Sequence, residues 1–254
     1  MGMLSDVWLI CESCLWVDGR LREDAAAFLK KLHAEGVSFA ILTEESIRTR
    51  TDHAAMYIDQ GLPFISHDDI YTSVMAAADR IMEMAARHRN AGYIGGKGML
   101  ETLRDAGFAL DTDKADWLFI GYEREAEMND FNYALRLLKG GAQLISTDSR
   151  PLRETKNGPA VGAGAVVKML ESASGKKAAE TGFPSPFMIK GAVNYLGSTM
   201  DHAVFVGSDL QREIRCANEA GMTTVYVPGS LDEDLFEESV RPSYVVADLY
   251  GLLK

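Results

Sequence analysis

The sequence predicts an α/β protein: a doubly wound parallel sheet formed from both ends of the chain, with a second α/β domain inserted between them. Short continuous apolar runs predict the sheet, because strands buried on both faces need apolar residues throughout; they stand at 7–11 (VWLIC), 37–42 (VSFAIL), 203–206 (AVFV) and 223–227 (TTVYV). Segments with apolar residues at helical spacing separate them, which gives the strand, helix, strand order of right-handed crossover units. A third pattern predicts the insertion. Strand-like runs at 91–94, 117–120 and 143–146 alternate with helical segments at 99–106, 131–139 and 163–172, enough to bury a core of their own.

In chain order, the first strand ends at Cys11 and a helix over 24–35 follows, closed by Gly36 as a helix C-cap. The strand at 37–42 completes the first crossover unit, and chemistry in such sheets gathers beyond the C-terminal strand ends. A helix over about 48–60 and a strand-like Ile70-Tyr71 continue the pattern. Near the other end, Gly207 opens a loop from the 203–206 strand into a helix over 213–220, Gly221 caps that helix, and strands follow at 223–227 and 244–246. The expected domains are a core of 1–76 with 182–254 and an inserted domain of 77–181. The Gly-rich stretch 158–164 (GPAVGAG) lacks the strand-turn-helix setting of a dinucleotide fingerprint.

The chain has 254 residues, 47% hydrophobic and 25% charged, the balance of a folded globular protein. Its formal net charge of −11 argues against nucleic acid or an anionic membrane surface as partner, since both require a basic face, although a local basic patch is expected around Lys176 and Lys177. No apolar run approaches the roughly 18 residues of a membrane span, and no basic segment leads into a hydrophobic one at the start, so a cytoplasmic location is expected. Three cysteines do not make a disulfide framework.

Local matches in a fixed order then resemble the NagD-like (class IIA) phosphatases of the haloacid dehalogenase (HAD) superfamily over essentially the whole chain. They are the strand ending at Cys11, Leu42-Thr43, Ile70-Tyr71-Thr72-Ser73, Ile145-Ser146-Thr147-Asp148, Gly182-Phe183-Pro184-Ser185-Pro186, Val206-Gly207 and Ala220-Gly221-Met222. The resemblance implies a HAD-like core carrying an inserted cap, and it implies four catalytic stations. At the first, the family's Asp-x-Asp-Gly, with nucleophile and general acid, reads Glu12-Ser13-Cys14-Leu15 here. Glu12 keeps a carboxylate but shifts it by about 1 Å, a displacement that can cost roughly a hundredfold in rate. Cys14 replaces the proton donor with a thiol of ordinary pKa about 8.5.

At the second station Thr43 keeps the phosphate-binding hydroxyl, with Glu44 beside it where relatives usually carry Asn. At the third, Phe183 stands in the slot of the family's lysine, where the resemblance implies a plugged, apolar phosphate pocket. At the fourth, the family's magnesium-binding acid reads Ser208, followed by Asp209 and Glu213. The resemblance also places Asp148 and Arg150 where the cap contacts substrate, although Arg150-Pro151 fits an ordinary turn as well, and it makes a homodimer through the inserted domain plausible.

The joint replacement at Glu12, Cys14, Phe183 and Ser208 leads to the expectation of a pseudoenzyme that binds a metabolite or protein partner, with no cofactor. A divergent phosphomonoester hydrolase is the alternative, using Glu12 as nucleophile and magnesium held by Glu12, Asp209 and Glu213. A thiol-dependent protein using Cys14 of the Cys11-Glu12-Ser13-Cys14 string is the third reading. Glu12, Glu44, Asp209 and Glu213, if gathered without a lysine, must diverge, share protons, hold a cation or be neutralised by Arg48 or Arg212. The scattered His33, His53, His67, His88 and His202 are expected at the surface or as caps, and the acidic runs 123–127 and 232–238 as solvated faces.

Overall fold

The central strand Val7–Cys11 pairs in parallel with Ala203–Gly207 on one side and Phe39–Thr43 on the other, with Leu9 opposite both Phe205 and Ala40. The computed structural model describes residues 7–85, 87–110, 114–155, 157–228 and 240–253, so the acidic run 232–238 lies outside the described residues. Around that centre runs a six-stranded sheet in the order Tyr244–Val245, Thr223–Tyr226, Ala203–Gly207, Val7–Cys11, Phe39–Thr43, Ile70–Thr72. Leu9, Ile10, Ala40, Ile41, Phe205 and Val206 are all fully buried, as continuous apolar runs require of strands covered on both faces. Helices Glu23–Ala34 and Arg50–Asp59 form the crossovers from Val7–Cys11 to Phe39–Thr43 and from there to Ile70–Thr72.

A five-stranded sheet has the order Ala179–Glu180, Gln143–Ser146, Trp117–Ile120, Asn90–Ile94, Ala109–Leu110, again with parallel pairs throughout. It carries its own core on both faces: Met99, Leu103 and Phe119 on one, Leu118, Leu138 and Leu170 on the other. The architecture is therefore the α/β one expected, a parallel-sheet core with an inserted α/β cap.

The chain divides into two compact units, Met1–Thr43, Arg50–Tyr71 and Ile189–Lys254 in the first, Glu44–Thr49 and Thr72–Met188 in the second. The short Glu44–Thr49 segment joins the second unit through backbone bonds: Gly98 N–H donates to the Ile47 carbonyl and Met99 N–H to the Ser46 carbonyl, both at 2.9 Å.

The sequence pattern overlooked the helices Ser73–Ala85 and Pro186–Tyr195. It also overlooked the antiparallel pair Leu152–Thr155 with Gly158–Val161, into which the first part of the Gly-rich stretch folds. The second part opens helix Ala163–Ser174, where a side chain on Gly164 would stand 2.1 Å from the Ser149 carbonyl oxygen. Close packing of two backbones, with no nucleotide, accounts for that glycine.

The expected helix over 213–220 begins instead with a wider turn at Leu210–Ile214, where Ile214 N–H reaches the Asp209 carbonyl at 3.0 Å, before Arg215–Glu219 resumes ordinary helix. Such wide turns recur at functional sites. Glu213 lies within this turn and is buried.

Candidate functional site

Beyond the C-terminal end of the central strand, residues Glu12–Cys14 form a single tight turn. The neighbouring strand ends at Thr43, whose hydroxyl donates to the Glu12 carboxylate at 2.6 Å. The other Glu12 oxygen meets His53 Nδ1 at 3.1 Å. The register of parallel strands puts Cys11 opposite Leu42, so the residues that follow each strand are neighbours.

His53 corrects an expectation. It is not at the surface or a cap: it is 1% exposed, on helix Arg50–Asp59, and shares that helix's buried face with Ala54 and Tyr57. A histidine at i with an aromatic at i+4 on an apolar face was the available signal, but nothing local tells which carboxylate it meets.

On the other side of the central strand, Ser13 and Ser208 link the two loops. Ser208 Oγ donates to Ser13 Oγ at 2.9 Å, and Ser13 Oγ donates to the Glu213 carboxylate at 2.9 and 3.2 Å. Glu213 also accepts the backbone N–H groups of Ser208 at 2.9 Å and Asp209 at 3.1 Å. Asp209 is spent differently: its carboxylate caps the wide helical turn by accepting N–H bonds from Gln211 and Arg212, each 3.0 Å. Burial pushes the Glu213 carboxyl above its ordinary pKa, against the pull of these donors.

The sign of that shift gives a pH prediction. A raised folded pKa means the folded state holds the Glu213 proton more tightly, so its contribution is full below the ordinary carboxylate pKa and is lost as pH rises above it. Denaturant titrations should therefore show Glu213→Gln losing ground to the parent most at low pH, with the gap narrowing on the alkaline side. A gap that widens with pH would show Glu213 to be a stabilising anion instead.

The thiol reading of Cys14 is corrected. Cys14 is fully buried, and burial, reinforced by the Glu213 carboxylate, pushes its thiol far above the usual range. A nucleophilic thiolate needs exposure and a lowered pKa, and Cys14 has neither. Cys11 is buried as well, at the end of its strand.

The residues present do not fit the magnesium ion that the family's fourth station implies. Magnesium demands near-octahedral oxygen coordination and is held through one or two carboxylates with water completing its shell. Ser208 offers a hydroxyl, Asp209 caps the helix, and both Glu213 oxygens already accept hydrogen bonds. Among the described residues, no group of three or more His, Cys, Asp or Glu side chains is arranged to hold a metal ion.

The second unit holds the remaining candidates. Asp148 is fully buried and binds Arg150 at both ends of the guanidinium fork, 2.8 Å to Nε and 2.7 Å to Nη2, besides accepting the Arg150 N–H at 3.0 Å. Arg150 also lies 3.8 Å from Glu44, while Arg48 pairs with Glu45 and not with Glu44. Arg153 packs over the Tyr122 ring at 4.4 Å; its burial, then the Arg150 charge, pull its pKa down against Asp148. Thus the four carboxylates feared to crowd together have separate partners: Thr43 and His53 for Glu12, Arg150 for Glu44, backbone N–H groups for Asp209, and Ser13 with backbone for Glu213.

Phe183 is 2% exposed, and its carbonyl accepts a bond from Ser149 Oγ at 2.8 Å. The Lys176 ammonium is taken by the Gly141 and Ala142 carbonyls, and Lys177 lies 3.6 Å from Glu171, so the suspected basic patch is engaged locally.

Comparison with known proteins agrees with this layout. A family model described as haloacid dehalogenase-like hydrolase matches residues 9–109, and a HAD-hydrolase-like model matches residues 180–252. The dihydroxyacetone phosphatase of Corynebacterium glutamicum (strain R) is 27% identical over 237 residues, covering 92% of this chain and 86% of that protein. The ribonucleotide monophosphatase NagD of Escherichia coli (strain K12) is 27% identical over 247 residues, 93% of this chain and 94% of NagD. The solved structure of NagD from E. coli K-12 superposes with a TM-score of 0.85 at 25% identity, covering 96% of each chain. With the parallel-sheet core, the inserted cap and both end segments matched, the chain belongs to the NagD-like (class IIA) branch of the HAD hydrolase superfamily.

Proposed function

We propose that this chain is a HAD-fold protein that has lost metal-assisted phosphomonoester hydrolysis and serves as a scaffold for binding a metabolite or a protein. One observation carries the reading: Thr43, at the phosphate-binding station, donates its hydroxyl to Glu12, at the nucleophile station, at 2.6 Å. A hydroxyl has one proton to give, so while it is held by Glu12 it does not reach a phosphate oxygen. His53 holds the other Glu12 oxygen. Phosphoryl transfer rests on positioning and charge neutralisation, and here the anion at the attack position is tied inside the protein while the proton donor is a buried thiol.

The binding partner proposed is a small metabolite or a protein, a second copy of this chain through the inserted unit included; light scattering of the purified protein settles the last. The free cysteines fit a reducing, cytoplasmic setting. Among the described residues no helix is long and apolar enough to cross a membrane.

Phosphate release from p-nitrophenyl phosphate and a panel of small phosphomonoesters tests the reading. The expected result is no magnesium-stimulated release above a no-enzyme control, for the parent and equally for Glu12→Asp, since Cys14, Ser208 and Phe183 remain. Turnover abolished by Glu12→Gln would instead establish the second reading, a divergent hydrolase with Glu12 as nucleophile. The phosphatase names of the relatives favour that reading.

A further inference from the structure

We infer that Ser208, Ser13 and Glu213 replace a divalent cation as the tie between the loops that follow the strands Val7–Cys11 and Ala203–Gly207, so that this part of the fold is complete without metal. The three residues come from places nearly 200 positions apart in sequence and form one chain of bonds: Ser208 Oγ to Ser13 Oγ at 2.9 Å, Ser13 Oγ to Glu213 at 2.9 Å. Each group is used according to its capacity. Ser13 accepts one bond and donates its single proton, and Glu213 receives that proton's bond beside two backbone N–H groups.

The hydroxyl pair joins the two loops with no net charge of its own, beside the buried Glu213 carboxylate. The buried thiol of Cys14 hydrogen-bonds with both serines and offers a soft atom where a hard cation needs oxygen. Asp209, the nearest further carboxylate in sequence, is committed to capping its own helix.

The inference shares Ser208 with the proposed loss of hydrolysis but rests on the Ser13–Glu213 bond and not on Glu12 or Thr43, and its test contains no substrate, so either can fail alone. The full-length protein, dialysed against EDTA, is followed by thermal unfolding and by calorimetric titration with magnesium chloride and then manganese chloride. The midpoint should be the same before and after EDTA and after adding either metal, and neither titration should show saturable heat. Ser13→Ala should lower the midpoint by roughly 3–6 °C, metal present or absent, because a hydrogen bond to a carboxylate is lost. Ser13→Thr, which keeps the hydroxyl, should restore most of that loss, a rescue that general damage to the turn would not give. Saturable magnesium binding by the parent that disappears in Glu213→Gln would overturn the inference. So would a Ser13→Ala protein as stable as the parent.

Discussion

Replacing Asp148 with alanine should destabilise the protein by about 3 kcal/mol, lowering its melting temperature by roughly 6–12 °C. The carboxylate is fully buried and carries three hydrogen bonds from Arg150, with Arg153 Nη1 a further 3.9 Å away. Its removal leaves two neighbouring guanidinium groups facing a void, with Glu44 at 3.8 Å from Arg150 as the nearby counter-charge. Arg150 is 34% exposed and recovers some hydration, which holds the figure below that of a wholly buried pair. Asp148→Asn keeps the shape and one acceptor, so it should recover part of the loss. Equal stability of Asp148→Ala and the parent in urea titration would show that this ion pair contributes nothing to the fold.

Gly98→Ala should cost a comparable amount, about 3 kcal/mol, at the upper end of overpacking because the obstacle is backbone. A methyl group there would stand 1.8 Å from the Arg48 carbonyl oxygen and 2.5 Å from its carbon. The same contact explains why Glu44–Thr49 belongs to the second unit, since the Gly98 and Met99 N–H groups bind the Ile47 and Ser46 carbonyls there. Circular dichroism on heating, with exposed Gly141→Ala as the contrasting substitution, measures the difference between a clash and a backbone preference. A Gly98→Ala protein that melts with the parent would mean that this close approach does not exist in solution.

Much of the architecture was legible because burial on both faces writes a local signal. The runs VWLIC and AVFV became central strands, with boundaries within a residue or two of those read from pattern. The order of short matches put Glu12 and Thr43 at adjacent strand ends, and they are in contact. What escaped was every feature set by a distant partner. His53 looked like any lone histidine because its carboxylate lies 41 positions away. The Ser13 hydroxyl is unremarkable until Ser208 and Glu213 are brought beside it. Cys14 invited a redox reading from its spacing, yet its chemistry is decided by burial, which spacing does not report. Helix Pro186–Tyr195 was missed because its proline-rich start reads as a turn, although proline at a helix's first position is favourable.

The most direct test of the central claim is a crystal structure of the protein soaked with magnesium and a trigonal or tetrahedral phosphate mimic. The Thr43–Glu12 bond at 2.6 Å and the His53–Glu12 contact at 3.1 Å should persist, with neither metal nor mimic bound at Glu12. Density for both ligands on Glu12, with Thr43 turned from the carboxylate to the mimic, would contradict it.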